Sequence, residues 1–294
     1  MMSKTAWVFP GQGSQEMGMG LDLMETSIGQ TRFAQAETIL GWSVPQLCQN
    51  QEDKLSRTLY TQPCLYVVSA ILADLMREQR SQPELVAGHS LGEYVALYTA
   101  GVFDFETGLR LVKHRAELMD NAADGTMAAL IGFDREDLQA QVQQTANVVL
   151  ANDNHASQVV ISGTSAAVDT VLAQVKVKRA VKLNVSGAFH SPLMAEAAAE
   201  FRQILEPVPF QLAQVPVLSN FEPIPAIAPE VLKERLIQQM TGPVRWREIS
   251  LGLAKEGIER VIEIGPGKVL TGLIKRTCPE LVLENVSGVA DLPA

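Results

Sequence analysis

The sequence predicts an α/β protein, in which a large parallel-sheet, hydrolase-like domain carries an inserted ferredoxin-like βαββαβ small domain. Three observations predict it. Short apolar strands alternate with helical patterns over residues 5–122, the grammar of a parallel sheet covered on both faces. From residue 126 the order becomes strand, helix, strand, strand, helix, strand. A Gly-x-Ser-x-Gly turn joins an apolar strand to a helix at residues 88–92. The chain of 294 residues has room for two such units at roughly 150 residues per domain. The division expected is 1–125 and 191–294 for the large domain and 126–190 for the small one.

The elements follow in order. Thr5-Ala6-Trp7-Val8-Phe9 is a buried strand ended by Pro10, and Gly11-Gln12-Gly13-Ser14-Gln15 is a glycine-rich loop. Helical periodicity covers 31–40 and 62–79. Glu84–Gly88 is a short apolar strand, and Leu91–Ala100 is a helix stopped by Gly101. A long helix fits 104–122. In the second unit the strands are 127–133, 147–151, 158–162 and 179–185, with helices over 135–144 and 166–175. Ser191-Pro192 is an N-cap and N1 pair opening a helix to Leu205. Strands follow at 215–219 and 260–264, and the last 15 residues carry no clear pattern.

Composition narrows the function. Twenty-four basic against 33 acidic side chains give a net charge of −9, which argues against nucleic acid or an anionic membrane as a broad partner. The sequence shows no uninterrupted apolar run of the roughly 20 residues that span a bilayer. The start, Met1-Met2-Ser3-Lys4, runs straight into a strand with no secretory h-region, so a cytoplasmic protein is expected. Cys48, Cys64 and Cys278 are far apart, which fits reduced thiols and no zinc site.

Gly88-His89-Ser90-Leu91-Gly92 is the richest segment. Its glycines permit a turn too sharp for a residue with Cβ, and Ser90 is then presented at a strand's carboxyl end, at the start of a helix. That context favours a nucleophile. Two other glycine segments fail as nucleotide sites. Gly11-Gln12-Gly13 lacks a third glycine at Glu16, and Gly265-Pro266-Gly267-Lys268 has Ile262 and Val269 where a P-loop needs Gly and Ser or Thr. The Gly11–Gly13 loop is either a plain tight turn or a donor to an oxyanion hole. Among four histidines, His114 lies between charges on a helix, His155 lies in a polar loop, Asn152-Asp153-Asn154-His155, and His89 adjoins the serine in the turn. Elimination leaves His190, where the small domain returns to the large one, as the base. Arg115 falls about 40° from Leu111 on a helical wheel, inside the stripe of Leu118, Met119 and Val112. An inward guanidinium needs an anion, which is either an internal carboxylate or that of a substrate.

Together these segments resemble malonyl-CoA:acyl-carrier-protein transacylases and the acyltransferase domains of fatty-acid and polyketide synthases. The matching residues are Phe9–Gln15, Thr61-Gln62-Pro63, Gly88-His89-Ser90-Leu91-Gly92-Glu93-Tyr94, Arg115, Phe189-His190, Pro243-Val244-Arg245-Trp246 and Glu263–Leu270, in order over residues 5–276. The resemblance implies malonyl transfer from malonyl-CoA to the phosphopantetheine thiol of an acyl carrier protein, for fatty-acid synthesis, by a ping-pong mechanism. Ser90 would be the nucleophile and His190 its base. The N–H groups of Gln12 and Leu91 would hold the oxyanion, and Arg115 the malonyl carboxylate. The backbone carbonyl of Arg245 would orient His190. Asn152 and Asn154 match a polar segment facing the cleft. Phe189 before His190 looks like the malonyl-selective version of the polyketide acyltransferases. No cofactor and no metal is implied, and the chain is expected to act as a monomer.

Two rivals remain at this level. A serine esterase or thioesterase would share Gly-x-Ser-x-Gly but leave Arg115 unexplained. A catalytically idle carrier-binding module would not need Ser90, His190 and Arg115 together. An acidic carrier would also require a local basic patch on this acidic chain. Lys176, Lys178, Arg179 and Lys182, and Lys268, Lys275 and Arg276, are the candidate clusters, against their being ordinary solvated faces.

Overall fold

The computed structural model describes residues 3–79, 82–122 and 124–293, so Met1 and Met2 of the N-terminal reading lie outside it. Five parallel strands form the large sheet: β1 (Thr5–Phe9), β2 (Leu85–Gly88), β7 (Val217–Leu218), β8 (Arg260–Ile264) and β9 (Val282–Val286), in the order β7-β2-β1-β8-β9. Except for the buried Glu263 of β8, the interior residues of the central strands β1, β2 and β8 are apolar on both faces because helices cover both, and two separate apolar clusters lie on the two sides. Phe9 is in register with Gly88, so β1 and β2 end side by side and their loops share one edge. β9 falls in the C-terminal stretch that has no clear sequence pattern. The helix Thr58–Glu78 is 21 residues and holds an 18-residue stretch of mean hydropathy 1.3, long and apolar enough to cross a bilayer by those measures although polar residues interrupt its apolar run. It is apolar all round because it is packed on all sides, with 89% of that stretch buried inside the protein.

The second sheet is antiparallel, with β3 (Thr126–Phe133), β4 (Val148–His155), β5 (Gln158–Gly163) and β6 (Val177–Lys182) in the order β4-β5-β3-β6. With helices Arg135–Gln144 and Ser165–Gln174 this is the ferredoxin-like arrangement. One face packs under those helices around Leu130, Leu138 and Val168. Met127, Ala151 and Val160 on the other side join the main core. Two strands differ from the sequence reading. The polar run 152–155 belongs to β4, which is bulged after Leu150 and after Asp153. Asp153 N–H donates to the Val244 carbonyl at 2.9 Å, and Val244 N–H donates to Ala151 at 2.8 Å, so this run is stitched to the large unit. β6 ends at Lys182, and residues 183–190 form the return connection.

Candidate active site

The site is built where β1 and β2 end. After β2, Ser90 takes φ 51°, a left-handed conformation that an L side chain rarely adopts. A Cβ on Gly88 would collide with the backbone of Gly92, and one on Gly92 with the carbonyl of Phe9. The two glycines therefore let the turn close tightly against β1, and the helix Gly92–Thr99 runs away beneath it. The result is a sharp elbow with Ser90 at its tip.

His190 also takes a positive φ, 57°, at the end of the return connection. Its Nε2 lies 2.8 Å from Ser90 Oγ. Its Nδ1 faces two backbone carbonyls, Gln239 at 2.9 Å and Gly242 at 3.2 Å. Carbonyls only accept, so Nδ1 carries the hydrogen and Nε2 presents a lone pair to the serine hydroxyl. Burial, and next the charge of Arg115, push the imidazole down to about 3, so it is neutral at pH 7 with its Nε2 lone pair free. The carbonyl of Arg245 is not among its partners. That carbonyl accepts from Ile249 N–H at 3.0 Å as the first bond of the helix Trp246–Lys255, and the Arg245 side chain pairs with Glu248 at 2.6 Å. The orienting role assigned to Arg245 thus falls to Gln239 and Gly242.

Arg115 is buried, as its place on the helical wheel predicts. Nη2 donates to Ser90 Oγ at 3.0 Å and to Gln239 Oε1 at 3.1 Å, and Nη1 donates to Gln62 Oε1 at 2.7 Å. Its guanidinium carbon lies 5.5 Å from the centre of the Tyr94 ring. Among the described residues no carboxylate forms an ion pair with it, and its Nε has no partner. The internal salt bridge left open by the sequence is therefore not what accounts for this cation. The remaining positive charge faces a cavity of about 80 Å³.

Gln12, Ser90, Leu91, Arg115, Asn152 and His190 all line that cavity, and Arg245 does not. Among the described residues neither Gln12 N–H nor Leu91 N–H has a protein acceptor. A Cβ on Gly11 would strike the carbonyl of His89, so that glycine lets the first loop lie directly against the elbow. Gln12 Nε2 donates to Thr58 Oγ1 at 3.1 Å, which fixes its side chain away from the backbone donor. Asn152 Oδ1 is buried without a partner. His89 does turn away from the serine, with Nε2 3.0 Å from Asn154 Oδ1 and its ring against Trp246.

Sequence reasoning assigned no role to Gln62, Glu93, Asn220, Gln239 or Gly242. Gln62 and Glu93 stood inside quoted segments, and a polar residue within an apolar helix face was the available signal. Gln239 sits six residues ahead of Arg245, where the expected carbonyl was placed, and nothing local marks it.

The comparisons with known proteins bear on the whole chain. The acyl transferase domain model matches residues 6–292. The chain belongs to the acyl transferase family. A malonyl CoA-acyl carrier protein transacylase of Synechocystis is 58% identical over 98% of this chain and 99% of its own length. The crystal structure of the Synechocystis malonyl-CoA:ACP transacylase superposes with a TM-score of 0.97 over 98% of each chain. A malonyl-transacylase solved in complex with its type II PKS acyl-carrier protein matches with a TM-score of 0.93 at 38% identity, over 98% of this chain and 97% of that one. The acyl transferase fold of these relatives, a parallel α/β unit plus a ferredoxin-like one, is the fold found here.

The basic side chains of both clusters are exposed. Lys178, Arg179 and Lys182 lie on β6, the edge strand of the small sheet, and Lys182 pairs with Asp169 at 2.6 Å. Lys268 sits just past the carboxyl end of β8, and Arg276 Nη1 lies 3.3 Å from His155 Nε2. The three cysteines are buried and unpaired.

Proposed function

We propose that this acyl transferase moves a malonyl group from malonyl-CoA to the phosphopantetheine thiol of an acyl carrier protein, in the cytoplasm, as the feed into fatty-acid synthesis. The observation that carries the reading is Arg115, a buried cation 3.0 Å from the serine hydroxyl that forms no ion pair among the described residues. A carboxylated acyl group satisfies it by a bidentate pair. Near identity of length with the Synechocystis transacylase, at 58% identity, supports the same substrates. Three buried free thiols fit a reducing compartment.

The residues would act in two half-reactions. Ser90 Oγ attacks the thioester carbonyl carbon while His190 Nε2 takes its proton. The oxyanion sits between the free N–H groups of Gln12 and Leu91, beside the positive end of the elbow helix. The intermediate collapses, the C–S bond breaks, and the CoA thiolate leaves with the proton from His190. The carrier's thiol then gives its proton to His190 and attacks the malonyl-serine ester, and Ser90 recovers that proton. Asn152, with an unpartnered oxygen on the cavity wall, would accept from an amide N–H of the thioester arm. The division into 1–125 with 191–294 and 126–190 is part of this reading. A separate apolar cluster within 128–177 supports it, and the cavity then lies between the two units.

Incubation with malonyl-CoA alone, followed by intact mass, tests the reading. One malonyl adduct on Ser90, with free CoA released before any carrier is added and no adduct in Ser90→Ala, is expected. Steady hydrolysis that outruns transfer to a carrier thiol would identify a thioesterase instead.

A further inference from the structure

The elbow is held from outside by two side-chain amides. Asn220 Oδ1 accepts from Ser90 N–H at 2.6 Å, and Asn220 Nδ2 donates to the Gly88 carbonyl at 2.5 Å. Gln239 Nε2 donates to the Ser90 carbonyl at 2.9 Å, and Gln239 Oε1 accepts from Arg115 at 3.1 Å. Both residues meet one carboxylate. Glu93 Oε2 accepts from Gln239 Nε2 at 2.7 Å and from Asn220 N–H at 3.1 Å. All three residues are fully buried. None of them lines the cavity.

We propose that Glu93 is the positioning residue of the acyl-transfer centre, setting the Ser90 elbow and the Arg115 fork through Gln239 and Asn220. The reason is the donor and acceptor inventory. Burial pushes the Glu93 carboxyl above its ordinary value, yet its Oε2 accepts from two N–H donors whether the other oxygen is protonated or not, so the amino end of Gln239 turns toward Glu93 and the Ser90 carbonyl. The oxygen end is then left for Arg115. The reversed amide would set N–H against the guanidinium N–H groups, and oxygen against both Glu93 Oε2 and the Ser90 carbonyl. The accepting Oε2 of Glu93 thus selects the one orientation in which Arg115 keeps two amide acceptors and aims Nη2 at Ser90. Asn220 acts on the other side of the serine. Its backbone is pinned by Glu93, and its side chain bridges Gly88 and Ser90 across the left-handed turn. A serine in that conformation persists only where its surroundings over-determine it. Here its N–H and its carbonyl are each held by a side chain that Glu93 places. Glu93 itself touches neither the hydroxyl nor His190.

The inference rests on Ser90 as the acyl nucleophile, and the test keeps the two apart. Glu93→Gln preserves shape but offers a donor end, so the Gln239 amide loses its fixed orientation. Single-turnover acylation of Ser90 is measured with malonyl-CoA and with acetyl-CoA, alongside a thermal melt. Both acylation rates are expected to fall roughly 10- to 100-fold, because a misplaced elbow harms either donor. A purely structural role would lower the melting temperature and leave the rate per folded active site unchanged, which overturns the proposal. Acylation by the variant within about a factor of two of wild type for both donors also overturns it. If Glu93→Gln does not fold, Gln239→Met decides. It keeps the backbone carbonyl that faces His190 and removes only the amide, so the same loss on both donors is expected and unchanged rates refute. A wild-type enzyme that forms no Ser90 adduct overturns the functional reading and this inference with it. Labelling of wild type and variant at equal rates overturns this inference alone.

Discussion

Arg115→Ala is the most discriminating perturbation, because Arg115 touches the nucleophile and, among the described residues, is the only lysine, arginine or carboxylate lining the cavity. In the free enzyme its two amide acceptors and Ser90 Oγ hold the guanidinium in place at 2.7–3.1 Å. A malonyl carboxylate entering the cavity loses its hydration and gains this fork. Removing the fork leaves the carboxylate buried and unpaired, which costs about 2–5 kcal/mol. At about 1.4 kcal/mol per decade, kcat/KM for malonyl-CoA is expected to fall roughly 30-fold to several thousand-fold. Acetyl-CoA brings no carboxylate, so its transfer loses only the contact with Ser90 and falls far less. Arg115→Lys restores part of the malonyl activity, since an ammonium cannot make the bidentate pair or reach both Gln62 and Gln239. The assay is transfer to a carrier thiol with both donors, run beside a thermal melt. Some loss of melting temperature is expected, because the oxygens of Gln62 and Gln239 lose a buried donor. Equal loss of malonyl and acetyl transfer would refute the reasoning and leave carboxylate selection without a residue.

Three further outcomes follow from the same geometry. His190→Ala is expected to slow Ser90 acylation by about 10²- to 10⁴-fold with malonyl-CoA binding little changed, as stopped-flow acylation and equilibrium binding would show. The His190 imidazole is pushed from 6.5 to about 3 in the fold, so the unfolded chain binds more protons between those values and stability falls as pH drops through that window. The loss from this group is about 2 kcal/mol between pH 6.5 and pH 5, and His190→Gln is expected to flatten the melting profile there; parallel profiles would contradict it. Reversing Lys178 and Arg179 to Glu is expected to raise the apparent KM for an acidic carrier, more so at low salt, and to leave acylation by malonyl-CoA unchanged. Indifference of the carrier KM to both the reversal and salt would remove β6 as the docking edge.

Much of the site was legible because its chemistry is local. The elbow needs glycine at 88 and 92 for steric reasons, and that pattern sits in five adjacent residues. Arg115 was legible as a periodicity violation, since a charge inside an apolar stripe must be buried. What was not legible is long-range. The carbonyls that orient His190 lie 49 and 52 residues away, and any backbone carbonyl can fill that role, so no side chain marks them. Arg245 was misplaced for the same reason, because its carbonyl is already used to start a helix. The run 152–155 reads as a loop because it is polar, yet it is a strand. Asn154 is satisfied by His89 and Asp153 by Arg135, whose guanidinium clasps it at 2.9 and 3.0 Å, while Asn152 Oδ1 is left facing the cavity. The helix Thr58–Glu78 misleads in the opposite sense, its apolar length reflecting a central place in the fold.

The absence of a carboxylate behind His190 fits thioester chemistry. A protease histidine must hold an imidazolium long enough to protonate an amine, and a buried aspartate stabilises it. Here Nδ1 meets neutral carbonyls, and Arg115 adds an opposing positive charge. Burial first, and then Arg115, hold the resting imidazole well below neutral against the two carbonyls, which raise it, so it is a weak base in the empty site. A thiolate leaves readily without strong acid assistance, so a weakly stabilised imidazolium suffices. The substrate also changes the balance. Once a malonyl carboxylate pairs with Arg115, the second-largest cause of the depressed His190 pKa is neutralised, and the imidazole becomes more basic when Ser90 needs it. Acetyl-CoA cannot do this. With Arg115 as the proposed carboxylate site, selection for a carboxylated acyl group would act in the chemical step as well as in binding, and malonyl over acetyl preference is expected in kcat as much as in KM.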